Sequence, residues 1–145
     1  MNTTHSTSAT TTTAPSATTS TPANPAMVMT EADADAFAEA WMDAWNSHDA
    51  ARIAAHYHED VEYHSPFVAR IAGAGSLRGR SAVEDYFAAA LARYPDLHFG
   101  PALHVAAGAG SVSIVYRSVD NLLAIETLVL DDGGLVTRAH CHYRS

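Results

Sequence analysis

Residues 41–66, WMDAWNSHDAARIAAHYHEDVEYHSP, read as two helices followed by a strand that stops at a Ser-Pro step. Phe37, Ala40, Trp41, Ala44 and Trp45 recur at i, i+3, i+4, i+7 and i+8, which gathers them on one apolar helix face. Thr30, with Asp33 three residues on, supplies a capping-box-like start. Asn46, Ser47 and His48 break the run, and Asp49 can cap a short second helix carrying Ile53 and Tyr57 one turn apart. From Val61 the period becomes two: Val61, Tyr63 and Ser65 take one face, Glu62 and His64 the other, as in a half-buried strand. Pro66 ends that strand, because it cannot donate to a ladder.

Downstream, a Gly-rich loop is expected over 69–79, and Ser81 with Glu84 forms an S-x-x-E capping box for a third helix. That helix shows Val83, Tyr86, Phe87, Ala90 and Leu91 and stops near Pro95. Residues 97–105 contain Gly100 and Pro101, so a strand there is kinked or bulged. Strands over 112–119 and 122–130 are joined by Asp120-Asn121, residues that tolerate positive φ. A second turn, Asp131-Asp132-Gly133-Gly134, feeds a last strand over 135–143. Helices first and an antiparallel meander second predict an α+β architecture.

Upstream, residues 1–26 are almost wholly Thr, Ser, Ala, Pro and Asn. Such a stretch buries too little apolar surface to offset the entropy of ordering it, so residues 1–29 are expected to be a disordered tail ahead of one domain at 30–145. The tail lacks the charged start and apolar core of a secretory signal, and Met27 and Met29 are alternative starts beside Met1. No run approaches the roughly 18 apolar residues of a membrane span, so no membrane partner is expected. Eight Arg, no Lys and 16 acidic residues give a net charge of −8, which repels a phosphate backbone and argues against nucleic acid as partner. The missing Lys also removes lysine Schiff-base chemistry. Cys141, alone, excludes an internal disulfide and a multi-cysteine zinc site and fits a reducing cytoplasm.

The 41–66 segment, LRGRSAVEDYF at 77–87 and LDDGGLV at 130–136 together resemble the nuclear transport factor 2-like superfamily, and within it the SnoaL-like group. The resemblance spans 30–145 and implies a cone-shaped α+β barrel, with three N-terminal helices packed on a curved, mainly antiparallel sheet around a hydrophobic pocket. It implies no single reaction, since relatives include ketosteroid isomerases, limonene epoxide hydrolases, polyketide cyclases and proteins without catalysis. In the isomerases a first-helix tyrosine and a protonated strand Asp hold an oxyanion, while an Asp before a Pro moves the proton. Here Trp41 stands at the tyrosine position and Ser65 at the proton-moving position. Serine is neutral and has no adjacent base, so the isomerase reading loses its base. Glu126 stands at the position of the protonated acid, and Cys141 at the last-strand acid/base Asp of the cyclases. The Asp-Arg-Asp set of the epoxide hydrolases has no convincing equivalent.

Glu126 alternates with Leu122, Ala124, Leu128 and Leu130, so an inward, largely apolar setting would raise its pKa and fit it for proton transfer. The bland alternative has it facing outward, or paired with Arg117 across the hairpin, since a one-residue slip turns every side chain over. Trp41, Tyr63, Ser65, Tyr86 and Cys141 form the expected ligand-pocket set, against the alternative that such aromatics are simple core. No thiolate-activating motif adjoins Cys141. His140-x-His142 has metal-ligand spacing, but Arg138 and Arg144 share its face and oppose a cation, so no metal site is expected. His56, His58 and His64, with Glu59 and Asp60, read as surface residues at a helix–strand corner. The leading expectation is a cytoplasmic homodimer, joined through the outer face of its sheet, that encloses a small apolar or aromatic molecule. As an enzyme it would be a cofactor-independent isomerase, cyclase or hydratase with Glu126 catalytic and Tyr63 or Tyr86 donating a hydrogen bond. The alternative is a non-catalytic binding or dimerisation module of the same fold.

Overall fold

Thr30 opens the first helix, α1 (Glu31–Asn46), by accepting the Asp33 amide at 3.1 Å. The computed structural model describes residues 28–145. Most of the tail expected over 1–29 therefore lies outside the described residues, while Val28 bridges Ala109 and the Met29 amide donates to Gly108 O at 3.0 Å. The buried face of α1 is turned slightly from the expected one. Ala34, Ala38 and Met42 are buried with Trp41, Ala44 and Trp45, whereas Ala40 is exposed.

Asp49 caps α2 (Ala50–Ala54) through the Ala51 and Arg52 amides, as its residue type predicts. The helix is shorter than expected, for Tyr57 begins β1 (Tyr57–His64) instead of sharing a helical face with Ile53. Sheet pairing decides this: the Val136 amide donates to His56 O at 2.8 Å and Tyr57 pairs with Val136. Pro66 does more than end β1. Ser65 accepts the Phe67 amide and starts α3 (Pro66–Ala72), with Pro66 in the first turn and Gly73 closing it at φ 70°. Part of the expected Gly-rich loop is thus a helix, which makes four α-helices among the described residues where three were expected.

A short β2 (Leu77–Arg78) precedes α4 (Arg80–Arg93). The Ser81–Glu84 capping box does not form. Gly79, at φ 92°, takes the cap position and gives the Val83 amide its acceptor through its carbonyl, leaving Ser81 inside the helix. Residues 97–103, with Gly100 and Pro101, stay irregular, and only β3 (His104–Ala107) of the expected 97–105 strand pairs.

The meander then follows expectation. β4 (Ser111–Arg117) and β5 (Leu123–Leu130) are joined through a 3-10 turn in which Asp120 and Asn121 hold φ near 55° and 58°. The 131–134 turn delivers β6 (Val136–Arg144). The sheet runs β2-β1-β6-β5-β4-β3 and is antiparallel except for β1 beside β6. The helices cover its inner face, enclosing Trp41, Tyr57, Phe87, Ile114, Tyr116 and Leu128, each almost wholly removed from water. At roughly 1.5–3 kcal/mol per fully buried large apolar side chain, this one cluster carries the fold against chain entropy.

Candidate active site

Inward positions of β5 are Ala124, Glu126 and Leu128, all buried, so the one carboxyl group of this face is taken into the core. Glu126 is 2% exposed and stands between Ile114 of β4 and Cys141 of β6 in the register. The Tyr116 hydroxyl donates to its Oε1 at 3.0 Å, and the Cys141 thiol to its Oε2 at 2.8 Å. Arg117 pairs instead with Leu123 on the opposite face and donates to Asn121 O, so the expected alternative of an Arg117–Glu126 pair does not occur.

The Tyr63 hydroxyl lies 3.4 Å from Cys141 Sγ. With the single thiol proton engaged by Glu126, this contact has Tyr63 donating to sulfur. Glu126, Tyr63, Tyr86, Tyr116, Tyr143 and Trp45 all line one cavity of about 30 Å3, near the size that holds a water molecule. Its remaining wall comes mainly from Phe67 and Ile71 of α3 and from Tyr94, Leu97 and Phe99. Among the described residues, no Arg or His lines it. Trp45 adds a buried indole N–H with no hydrogen-bond partner among the described residues.

Burial pushes the Glu126 carboxyl from its ordinary 4.5 up to about 7, against the opposing pull of the hydrogen bonds from Cys141 and Tyr116. Burial also drives the phenols of Tyr57, Tyr63 and Tyr116 well above 10, and the Glu126 charge pushes the same way. Tyr86 and Tyr143 move upward too, chiefly by burial. The Cys141 thiol is raised first by burial and then by Glu126, which keeps it protonated and a poor nucleophile. Near neutral pH the cluster is therefore a set of neutral donors around one carboxyl that can take or release a proton.

The family model for the SnoaL-like domain matches residues 38–144. The chain belongs to the SnoaL-like family. A SnoaL-like protein of unknown function from Burkholderia thailandensis E264 is 39% identical, with TM-score 0.77 over 82% of this chain and 100% of that one. A Kribbella flavida protein described provisionally as a ketosteroid isomerase is 22% identical, with TM-score 0.59 over 77% of this chain and 78% of that one. A provisional isomerase of the SnoaL-like family from Agrobacterium tumefaciens C58 is 16% identical, with TM-score 0.63 over 76% and 96%. These two share the fold. No functionally curated protein matches.

Within this SnoaL-like domain, the six residues singled out in the sequence fall into two layers. Glu126, Tyr63 and Tyr86 reach the cavity wall. Trp41, Ser65 and Cys141 are buried but are not among the lining residues. Trp41 donates through Nε1 to Tyr57 Oη at 3.1 Å, and Ser65 accepts the Phe67 amide as the α3 cap. Cys141 acts on Glu126 from one layer behind.

Tyr116, the second donor to Glu126, was not singled out in the sequence. Its signal was the Asp120-Asn121 turn, which fixes a register pairing Tyr116 with Ala124 and so sets it diagonal to Glu126. Tyr94, Leu97 and Phe99 lie on an irregular segment whose path no periodicity reveals.

The histidines stand elsewhere. His64 and His140 stack on the outer face with ring centres 4.6 Å apart, beside Arg138, and Arg144 flanks His142 farther along β6. His56 lies in the turn between α2 and β1 and His58 is the second residue of β1, the helix–strand corner expected for them, but both are half-buried rather than plainly exposed, His56 edge-on to Phe37. Among the described residues no three His, Cys, Asp or Glu side chains group to hold a metal, and no helix is long and apolar enough to cross a membrane.

Proposed function

We propose that this protein is a small-molecule-binding SnoaL-like domain in which Glu126 transfers a proton on a small apolar or aromatic substrate, without a cofactor. One observation carries the reading: a carboxyl group buried in an aromatic cavity and tuned by burial to about 7. A group titrating there serves equally as acid and as base at neutral pH, which suits isomerisation, aldol-type cyclisation or hydration. Tyr116 holds the carboxyl, and Tyr86, together with Tyr63 once its hydroxyl turns from the Cys141 sulfur, is a neutral donor on the wall able to bind a substrate oxygen. Cys141 positions Glu126 from behind. The reading places the protein in the cytoplasm, where a free buried thiol persists, as a homodimer through the outer face of the sheet.

Native mass spectrometry of the protein purified from its own host tests this. The wild type is expected to carry a small molecule or its product, and Glu126→Gln to accumulate unconverted substrate. If neither retains a small molecule and the substitution changes only stability, the catalytic reading fails.

A second reading, a non-catalytic binding or dimerisation module, is favoured by the size of the cavity. About 30 Å3 is far below the 300–1,000 Å3 of typical ligand pockets. The same experiment separates the two readings, since a module without catalysis shows no difference in captured mass between wild type and Glu126→Gln.

A further inference from the structure

Residues 94–102 run along one wall of the Glu126 cavity outside any helix or strand. Their inner side contributes Tyr94, Leu97 and Phe99 to the cavity wall. On the other side, Phe99, Gly100, Pro101 and Ala102 front an open groove of about 500 Å3 along α1. One strap of chain therefore separates a nearly filled cavity from an open one.

The strap is held at few points. Among the described residues, 98–102 make no backbone–backbone hydrogen bond. Asn46 substitutes for a strand partner: its Nδ2 donates to Phe99 O at 2.9 Å and its Oδ1 accepts the Phe99 amide at 2.8 Å. His48, itself at φ 58°, donates through Nε2 to Leu97 O at 2.6 Å. Both latch residues come from the end of α1 and the break behind it. The Phe99 ring these bonds position lies 4.7 Å from Tyr116, 5.5 Å from Trp45 and 6.0 Å from Trp41, centre to centre.

We propose that residues 94–102 are a latched plug, in which Phe99 occupies the ligand volume of the Glu126 cavity and Asn46 and His48 hold it closed. The proposal rests on the small-molecule reading of that cavity. Vacating one phenyl ring leaves a space of the order of the ~150 Å3 apolar cavity that takes up benzene. It also opens the cavity toward the groove, beside the unpartnered Trp45 N–H and the Tyr116–Glu126 pair. Closed, the plug keeps water from the carboxyl. The latch breaks without unfolding the sheet, because none of its bonds belongs to a ladder.

Cys141, the single thiol and a neighbour of Glu126, reports the opening. Its rate of modification by methyl methanethiosulfonate is measured without denaturant in the wild type, Asn46→Ala, His48→Asn and a core control, Val83→Ala. Val83 is buried in α4 and lines neither the cavity nor the groove. The latch variants are expected to react at least tenfold faster than the control once the four are compared at matched urea midpoints. In parallel, Phe99→Ala is expected to take up benzene, seen as a rise in Tm that the wild type lacks. Labelling that follows global stability alone, or no benzene uptake, overturns the plug. Neither measurement needs turnover. Equal labelling therefore ends the gate and leaves proton transfer standing, whereas a Glu126→Gln variant that captures the same mass as the wild type ends proton transfer and leaves the gate.

Discussion

Tyr116 Oη and Glu126 Oε1 lie 3.0 Å apart on adjacent antiparallel strands, and both groups are sealed from solvent. The tyrosine can only donate to the carboxylate, since its own proton is held far above neutrality. It therefore stabilises the charged form of Glu126 and works against burial.

Removing that donor with Tyr116→Phe is expected to raise the Glu126 midpoint above about 7. A hydrogen bond to a charged group is worth about 1.5–3 kcal/mol, so the rise should be of the order of one unit or more. Carbon-13 NMR of the labelled glutamate carboxyl across a pH series reads it directly. An unchanged midpoint would mean that Tyr116 does not bear on the charge.

Glu126 also sets a pH dependence of stability. Its folded pKa of about 7 exceeds the ordinary 4.5, so between these values the unfolded chain releases a proton that the folded chain keeps. The unfolded state then binds fewer protons, and this group's contribution falls as pH rises through that window, by about 3 kcal/mol in full. Glu126→Gln should remove the slope. Urea unfolding is expected to give similar stabilities at pH 5 and a more stable variant at pH 8. Parallel profiles for the two proteins would show that Glu126 ionises as freely folded as unfolded.

What the sequence made legible follows from which interactions are local. Caps at Thr30 and Asp49, the positive φ at Asp120 and Asn121, and the alternation around Glu126 all depend on residues within a few positions of one another. Tyr57 did not follow its helical spacing, because a strand from the far end of the chain claimed it. Ser65 stood on the expected buried face, yet its hydroxyl went to a helix that Pro66 started rather than prevented. The path of 94–102 depends on Asn46, about fifty residues away, and no local pattern encodes that contact.

Ser65→Ala separates capping from chemistry at a position that the resemblance to the isomerases would give to an acid. Losing the cap is expected to cost about 1 kcal/mol, seen as a lower urea midpoint. The Glu126 titration should stay in place, since Ser65 makes its backbone bond to Phe67 and not to the carboxyl. A shifted titration with unchanged stability would return Ser65 to the proton-handling set.

The proposed homodimer can be tested through the charge of its face. Ile125 and Val129 are large apolar residues exposed on the outer side of the sheet, which is where association would remove apolar surface from water. Around them that side carries Arg78, Arg117, Arg138 and Arg144, while Glu62 is already engaged by Arg78 at 2.9 Å and Arg138 at 3.1 Å. A two-fold contact brings this surplus of positive charge against itself. Raising salt from about 50 mM to about 500 mM should then strengthen association by screening it. Burial and the neighbouring His64 hold His140 below its ordinary 6.5, with Arg138 and His142 pushing the same way and Glu62 opposing. His140 therefore gains its charge only in more acidic solution, where a further like charge should weaken the dimer. Sedimentation equilibrium of the wild type and Ile125→Arg measures both effects. A dimer that loosens with added salt, or that survives Ile125→Arg, must form through another surface.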